Sequence, residues 1–516
     1  MALRPDALLK RSLIFAHRWL GVALSLVFLL WFVSGIVMMY WSFPSVGPAD
    51  RLQRAPVLVP ERIAVSAERA FSALERDGAA AQIRLTSFDG RPVYRFGGGR
   101  GGARVFADDG AEVGEVDAAM VDRAAARWAG RPVGEAQKTL VEDVDQWTVV
   151  GAGRNQRPLF KYSWPDGQQA YVSGVTADVV QYTTRSSRFW AYLGAIPHWL
   201  YFTPIRKNAP EWSSFVVWSS LIGTVAALMG VVIAVWMYSP RQRYRHAGTP
   251  TSIPYKGWKR WHTITGLIFG LVTTTWAFSG LLSMGPFPIV QRLTDLTVPS
   301  DEEADLDLEP ALRSGPLPPS AYDAKPPAMA LASVRDFQAK DLEYSSYDGQ
   351  PLYLATNGRG DTRVIPVHGE PMSGFDAEAL MQRVREQAGG RLAELRLMHE
   401  YDAYYLDRLG RRPLPVIYAR VNDAVGTRYY IDPTTAAIVD RYSTREWVSR
   451  WLYHGLHSLD FPWLYKYRPL WDIVVITLML GGTAICVTSI MLAWRVLARK
   501  LSRVWAGLRP PEEDLA

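Results

Sequence analysis

The sequence predicts an α-helical membrane protein that crosses the bilayer four times, in two tandem repeats that each carry a soluble α+β domain. Two observations support this fold class. First, four apolar stretches each reach the roughly 20 residues that a helix needs to cross a bilayer. They are Trp19–Trp41, Ser213–Tyr238, Thr263–Met284 and Ile473–Trp494. Second, the chain contains the same pattern twice.

The repeat is visible as short matched motifs. Residues 87–94 (SFDGRPVY) return as residues 346–353 (SYDGQPLY), at an offset of 259. The same offset carries Trp212 onto Trp471 and Gly223 onto Gly482, whereas near the start of each half the offset is 245. Two repeats that both start on the same side of a membrane are related by an axis along the membrane normal.

Charge predicts the topology. The loop between the second and third stretches is rich in arginine and lysine and has no acidic residue, so the positive-inside rule places it in the cytoplasm. Both termini then lie in the cytoplasm as well. The predicted segments are membrane helices 1–42, 212–239, 261–285 and 471–495, external domains 43–211 and 286–470, the loop 240–260 and the tail 496–516. The net charge of +7 reflects the excess of arginine and lysine in the predicted cytoplasmic segments, so no nucleic-acid partner is predicted.

Each external domain is expected to pack a helix on an antiparallel sheet. In the first half, turn signals at Asp89-Gly90 and Asp109-Gly110 separate strand-like segments that precede a helix-like run at 118–129. The second half repeats this order up to a helix-like run at 377–387. The acidic, proline-rich segment Pro299–Pro319 is interpreted as an insertion or linker.

Histidine is rare, and its positions follow the repeat. Of 8 histidines, four fall at matched places. We call His17 and His262 the first histidine pair, and His198 and His457 the second histidine pair. An ionisable residue at the edge of a membrane span is a functional candidate. Helical phase supports a functional role for the first pair. Several residues shared by both copies fall within about 40° of one line along the helix and so share one face, whereas Ser34 does not. These residues are His17, Gly21, Trp31, Gly35 and Met39.

Symmetry predicts that the two members of each pair lie at equal depth. The first pair is expected near the cytoplasmic face and the second near the external face, about 33 Å apart for 22 helical residues. Two neutral imidazoles suit the axial positions of haem iron, whereas zinc or copper needs further ligands. We therefore predict two haems, one ligated by each pair. Iron held by two histidines has no open position, which favours electron transfer over oxygen binding.

Other residues have more than one interpretation. Arg18 and Arg260 are candidate contacts for haem propionates. His454 is either a hydrogen-bonding or propionate-binding residue or a substitute ligand in the second pair. Trp31 and Trp276 are either packing residues or a relay between the two sites. A histidine at a membrane interface commonly binds lipid headgroups or backbone groups, and this alternative stays open for each pair. No catalytic residue is predicted.

Four motifs resemble the PepSY-associated transmembrane family. They are His17-Arg18-Trp19-Leu20-Gly21, Trp261-His262 with Gly266, Leu456-His457-Ser458 and Tyr430-Ile431-Asp432-Pro433. The first half departs from the last motif, because Ser173-Gly174 stands where the family has Asp-Pro.

The resemblance implies a fold and a function. Family members include bacterial inner-membrane reductases of ferric siderophores, with b-type haem in the membrane and PepSY-like domains in the periplasm. The resemblance thus implies two haem b groups, a quinol or cytoplasmic electron donor, and an Fe(III) chelate as substrate. Reduction releases iron because Fe(II) is softer than Fe(III) and binds oxygen donors less well. The alternative is a membrane-tethered PepSY regulator or peptidase inhibitor without redox activity.

Overall fold

The computed structural model describes residues 5–74, 82–97, 102–150, 154–285, 306, 308, 311–423 and 425–507. The chain divides into two compact units. The helical unit comprises Met1–Phe43, Ser186–Gln291 and Trp447–Ala516, and the soluble unit comprises Pro44–Arg185 and Arg292–Glu446.

Four long helices dominate the helical unit. They are Pro5–Met38, Ala209–Met237, Gly257–Leu282 and Leu470–Gly507, called here the first to fourth membrane helices. Each contains a segment of at least 26 residues that is long and apolar enough to cross a membrane. The first helix begins well before the predicted span because charged residues interrupt its apolar run without breaking the helix. His17 therefore lies inside the helix, not at its edge.

Glycines let aromatic rings rest directly on neighbouring helix backbones. A Cβ built on Gly223 would lie 2.3 Å from the Phe28 ring, and one built on Gly482 would lie 2.4 Å from the Phe32 ring. Gly223 and Gly482 are matched by the 259-residue offset. The first membrane helix thus packs closely against the second and the fourth through equivalent positions, in the way that small residues permit in membrane bundles.

Short helices precede the second and fourth membrane helices. Those before the second are Arg185–Leu193, Ala195–Trp199 and Thr203–Arg206. Those before the fourth are the π-helix Val448–Gly455 and the α-helices Leu456–Ser458 and Pro462–Tyr465. These two segments, called here the approach segments, carry the second histidine pair.

Three antiparallel sheets form the soluble unit, and a two-stranded sheet lies between the second and third membrane helices. In chain order the strands are β1 Ile83–Phe88, β2 Arg91–Phe96, β3 Ala103–Phe106, β4 Gln137–Val141, β5 Leu159–Ser163, β6 Gln169–Ser173, β7 Val179–Thr183, β8 Tyr244–His246, β9 Thr249–Thr251, β10 Arg313–Ser314, β11 Ala339–Tyr347, β12 Gln350–Asn357, β13 Thr362–Pro366, β14 Leu392–Met398, β15 Val416–Val421, β16 Arg428–Asp432 and β17 Ala437–Tyr442. The largest sheet has the order β13-β12-β11-β1-β2-β3, with β10 added on β11.

The largest sheet joins the two halves of the chain. Strand β1 pairs with β11, with Arg84 opposite Glu343 and Leu85 opposite Leu342. One face of this sheet packs into a continuous apolar core that includes Leu85, Tyr94 and Leu342. Most of the two segments predicted as separate external domains, 43–211 and 286–470, therefore forms one compact unit with a shared sheet.

The two four-stranded sheets each carry a helix, as the sequence predicts. Helix Ala118–Ala129 packs through Val121 on sheet β4–β7, and helix Ala377–Ala388 packs through Leu380 on sheet β14–β17. The bounds of these helices differ by 259 at both ends. Among its described residues, this unit also has the α-helices Pro48–Arg54, Ala67–Ser72 and Pro327–Ala332.

The linker interpretation of Pro299–Pro319 needs a correction. Residues 299–305, 307, 309 and 310 lie outside the described residues. Leu306 and Leu308 are 2% and 1% exposed and belong to the core of the β14–β17 sheet, and the Tyr429 hydroxyl donates to the Leu306 carbonyl at 2.9 Å. This part of the segment is packed because Leu306 and Leu308 supply apolar surface to the core. The acidic overall composition of the segment gave no indication of this.

Candidate functional site

The first histidine pair joins two membrane helices. His17 lies on the first helix and His262 on the third, with ring centroids 6.1 Å apart and ring planes inclined by 35°. The offset of 245 that matches these residues in the sequence thus corresponds to a direct pairing in space.

The second histidine pair joins the two approach segments. His198 lies in helix Ala195–Trp199 and His457 in helix Leu456–Ser458, with ring centroids 6.2 Å apart and ring planes inclined by 67°. His454, three residues earlier, is exposed, and its ring lies 4.7 Å from that of Tyr453. The structure therefore places His457, not His454, opposite His198.

The spacing within each pair is informative. A direct N–H···N hydrogen bond between two imidazoles holds the ring centroids about 5 Å apart. A metal ion in line between two ring nitrogens, each about 2.0 Å from it, holds the centroids about 6.3 Å apart. The separations of 6.1 and 6.2 Å match the second arrangement. Both separations are therefore longer than that of a direct imidazole–imidazole hydrogen bond.

Hydrogen bonds orient both rings of the first pair. His17 Nδ1 lies 2.9 Å from the carbonyl oxygen of Ala226 on the second helix. His262 Nδ1 lies 3.0 Å from the hydroxyl of Thr488 on the fourth helix, and that hydroxyl already donates to the carbonyl of Ala484. Both oxygens therefore accept a hydrogen bond from Nδ1–H. An imidazole that donates from Nδ1 keeps Nε2 unprotonated, which is the form that binds a metal.

The second pair has equivalent bonds. His198 Nδ1 lies 3.1 Å from the Trp31 carbonyl and 3.2 Å from the Ser34 hydroxyl, and His457 Nδ1 lies 3.1 Å from the Ser279 hydroxyl. Both serine hydroxyls donate to carbonyls of their own helices, so they accept from the imidazoles. Burial lowers the pKa of His198 to about 4, which keeps its ring neutral. Ser34 and Ser279 are matched in the sequence, but helical phase excluded Ser34 from the shared face.

Glycines make room for three of the four imidazoles. A Cβ on Gly230 would lie 2.6 Å from His17 Cε1. Gly35 and Gly280, matched by the offset of 245, lie beside the second pair, and their built Cβ atoms are 3.4 Å from His198 Cε1 and 3.6 Å from His457 Cε1. These rings pack against helix backbone, and a larger residue at Gly230 would displace the imidazole.

Gly266 provides open space beside the first pair. It lies four residues after His262, on the same face of the third helix. A Cβ built there meets nothing within 4 Å. This space suits a flat group held at the imidazoles, so the surroundings of the first pair fit a haem.

A matched turn positions the second pair. Trp212 Nε1 donates to the Trp199 carbonyl at 2.8 Å, and Trp471 Nε1 donates to the Ser458 carbonyl at 3.0 Å. The acceptor in each case is the residue directly after the histidine. The next residue, Leu200 or Leu459, has a positive φ of 54° or 52°. The match between Trp212 and Trp471 is visible in the sequence, but their hydrogen bonds to the turns after the histidines are visible only in the structure.

Aromatic rings fill the space between the two tryptophans considered as a relay. Ring centroids are 5.3 Å apart for Trp31 and Phe28, 6.5 Å for Phe28 and Phe32, and 5.8 Å for Phe32 and Trp276. We call these four residues the aromatic row. Within the described parts of the chain, the buried Nε1 of Trp276 has no hydrogen-bond partner.

The two sites are closer than predicted. His198 contacts Ser34, which lies 17 residues after His17, so the axial separation along the first helix is about 26 Å. The prediction of about 33 Å assumed that the second pair lies at the helix end. The structure instead has the approach segment turn inward, so that His198 contacts the helix a turn before its end.

The two candidate propionate contacts lie against other residues. The Arg18 guanidinium is 5.5 Å from the Phe15 ring and 5.7 Å from the Trp19 ring, and the Arg260 guanidinium donates to the Thr251 hydroxyl at 2.9 Å. Among the residues that the structure describes, no group of three or more His, Cys, Asp or Glu side chains could hold a metal ion. Each site therefore offers two imidazoles as potential donors.

These features define a class: a membrane protein with four spanning helices, a soluble α+β unit and two facing imidazole pairs in the helical unit. The family profile described as the PepSY-associated TM region matches residues 14–495, a range that includes all four paired histidines. The chain belongs to this family, which confirms the predicted relationship. Searches among curated proteins and among solved structures found no match.

Proposed function

We propose that this protein is an inner-membrane electron-transfer protein with two b-type haems, which reduces ferric siderophores or similar Fe(III) chelates in the periplasm and releases Fe(II). The observation that carries the proposal is the spacing of the two histidine pairs, 6.1 and 6.2 Å between ring centroids. That spacing leaves room for one metal ion between the rings of each pair.

The four paired histidines are the proposed axial ligands. His17 and His262 hold one haem, and His198 and His457 hold the other. A haem with two imidazole ligands supplies a one-electron redox centre without an open iron position. Arg18 and Arg260 remain candidates for the propionates of the first haem, because both flank the first pair in the sequence.

The residues around the histidines set their orientation. The acceptors at Ala226, Thr488, Ser34 and Ser279 hold each Nδ1–H, which leaves Nε2 unprotonated and restrains rotation of the ring. Acceptors of this kind also make the ligand more basic. The same residues thereby influence both the affinity for the metal and its redox potential.

The aromatic row lies at the level of residues 28–32 of the first helix, close to the second pair, and keeps the interior of the bundle apolar there. We keep Trp31 and Trp276 as candidate relay residues, because the row links them through rings in close contact. The direction of electron flow follows from topology. The basic loop and termini favour the cytoplasmic side, so the first pair would accept electrons from a quinol or cytoplasmic donor. The second pair would pass them, one at a time, to the Fe(III) chelate.

Absorption spectroscopy tests the proposal. Protein purified from haem-sufficient cells should be red, with a Soret band that shifts on reduction by dithionite and two haems per chain in the pyridine haemochromogen assay. Under anaerobic conditions, a ferric chelate should reoxidise the reduced protein, and a ferrous-iron indicator should detect the Fe(II) that is released. A colourless protein would exclude the proposal and favour the PepSY regulator.

Histidine variants test the ligand assignment. H17A or H262A should remove one haem, and H198A or H457A should remove the other. H454A is the matched control, because this neighbouring histidine is exposed and should leave both haems in place. Loss of haem from H454A together with retention in H457A would contradict the assignment of the second pair.

A further inference from the structure

A second candidate site is a cleft of about 1000 Å³ in the soluble unit. Strands β1, β2 and β3 form its floor, and helices Pro48–Arg54 and Ala118–Ala129 form parts of its walls. The turn between β6 and β7 and the start of β11 complete the lining. The cleft therefore lies against the face of the large sheet that is opposite the apolar core.

Three arginines form a row across the floor of the cleft. Arg104 on β3 is directly opposite Arg95 on β2, and Arg95 is directly opposite Arg84 on β1. Residues directly opposite each other in an antiparallel pair project from the same face, and like charges in such pairs are destabilising. The row thus has an electrostatic cost that the fold alone does not explain.

Among the described residues, Arg84 is the one arginine of the row within ion-pair distance of a carboxylate, and Asp341 also acts on Arg95 at longer range. Arg84 lies 2.9 Å from Asp341 and 3.9 Å from Glu343. Arg95 donates to the Thr86 hydroxyl at 3.2 Å, and Arg104 donates to the Thr176 carbonyl at 3.5 Å. Across the described ranges, no carboxylate lies within ion-pair distance of either of these two.

Burial and the nearby charge of Arg95 lower the pKa of Arg104, and the charge of Asp178 offsets part of this shift. This shift reports a guanidinium that is partly removed from water and repelled by its neighbour. An anion bound between Arg95 and Arg104 would relieve both effects, and carboxylates bind arginine through paired hydrogen bonds.

The rest of the lining has the same charge bias. It holds seven cationic and three acidic side chains, and two of those acids, Asp341 and Asp89, already pair with arginines of the lining. The lining also includes the rings of Phe88, over which the Arg104 guanidinium lies at 4.3 Å, and Trp128, over which the Arg54 guanidinium lies at 4.8 Å. The cleft therefore combines a cationic floor with apolar surface, which suits a bulky anion better than a small inorganic one.

We propose that this cleft binds the substrate, and that the substrate class is an anionic Fe(III) chelate with carboxylate groups, which Arg95 and Arg104 bind. The inference rests on the proposed function for the presence of iron in the ligand. It adds a binding site in the soluble unit and a charge preference that the histidine pairs do not imply.

The test measures binding without electron transfer. Gallium(III) citrate mimics a ferric carboxylate chelate but is not reduced, and its affinity for the full-length protein can be measured by calorimetry. R95Q/R104Q should weaken binding roughly tenfold for each arginine removed. R385Q/R396Q, which removes two exposed arginines outside the cleft, is the matched control and should bind as the wild type does. Unchanged thermal unfolding would show that both variants fold.

Two further measurements make the test decisive. Binding should weaken with increasing salt, and a gallium chelate of a cationic trihydroxamate should bind at least tenfold more weakly than gallium citrate. Equal affinities for the two chelates, or equal losses in the cleft variant and the control, would overturn the inference. Haem and chelate reduction with no binding in the cleft would leave the reductase standing without this site. If the protein lacks haem when purified from haem-sufficient cells and still binds gallium citrate, the result would support the site and exclude the reductase.

Discussion

Replacement of Gly230 by alanine tests the geometry of the first histidine pair most directly. The new Cβ would lie 2.6 Å from His17 Cε1, and ordinary contact requires at least 3.4 Å. The imidazole must therefore move by about 0.8 Å, or the second helix must shift. A metal site tolerates errors of only about 0.2 Å in its ligand distances. G230A should thus lose the haem of the first pair or bind it with a changed ligand field.

The effect on stability should be small by comparison. Glycine to alanine in a helix interior gains about 1 kcal/mol in helix propensity, whereas overpacking costs about 1–3 kcal/mol. The net change in the free energy of unfolding is therefore between about zero and 2 kcal/mol of destabilisation. The protein should remain folded while the site changes.

G270A is the matched control. Its Cβ would lie 2.9 Å from Val231 Cγ2, so it overpacks a helix contact without touching a histidine. The assay is haem content per chain together with the reduced-minus-oxidised spectrum. We expect G230A to lose one haem signal and G270A to keep two. If G230A keeps the wild-type spectrum, or both variants lose haem equally, the steric argument is incorrect.

Three further variants test other parts of the structure. T488A removes the hydroxyl acceptor of His262 but leaves its hydrogen bond with the Ile485 backbone, so its haem should bind about 10-fold more weakly, at the low end of the usual range; haem transfer to a scavenger protein measures this, and wild-type retention would contradict it. W276L should slow electron transfer between the sites while both haems remain, and stopped-flow kinetics equal to those of the wild type would exclude the relay. The hydrogen bond from Arg123 lowers the pKa of Asp89, so the stabilisation is present above its ordinary pKa near 4 and is lost as the pH falls below that value and through the lowered pKa of the folded state. In D89N the free energy of unfolding should depend less on pH over this range, and an unchanged dependence in urea denaturation would oppose the argument.

Local features of the sequence were sufficient for much of the fold. Hydropathy locates four apolar stretches that overlap the four membrane helices and run at most three residues past their C-terminal ends, and the helix prediction at 118–129 matches the observed bounds. These features depend on neighbouring residues, whose periodicity and turn signals are visible in the chain itself. The repeat offsets also matched the histidines that the structure brings together.

The surroundings of the histidines were less predictable. Helical phase indicates which residues share a face, but it does not indicate which element approaches from outside. Ser34 lies off the shared face, yet it bonds His198 because the approach segment reaches the helix from that side. At the offset of 259, Thr488 corresponds to Met229 and Gly230 corresponds to Ser489. The residue type differs in both cases, so the repeat does not indicate a role for Thr488 or Gly230.

The sequence by itself determined the membrane helices, the local strands and the pairing of histidines by repeat. Only the tertiary structure decided that β1 pairs with β11, that the second histidine pair lies inward at the level of Ser34, and that Arg84, Arg95 and Arg104 form one row. The reason is physical. Local structure follows from backbone preference and hydrophobic period over a few residues, whereas strand register and helix contacts depend on packing between segments that are far apart in the chain.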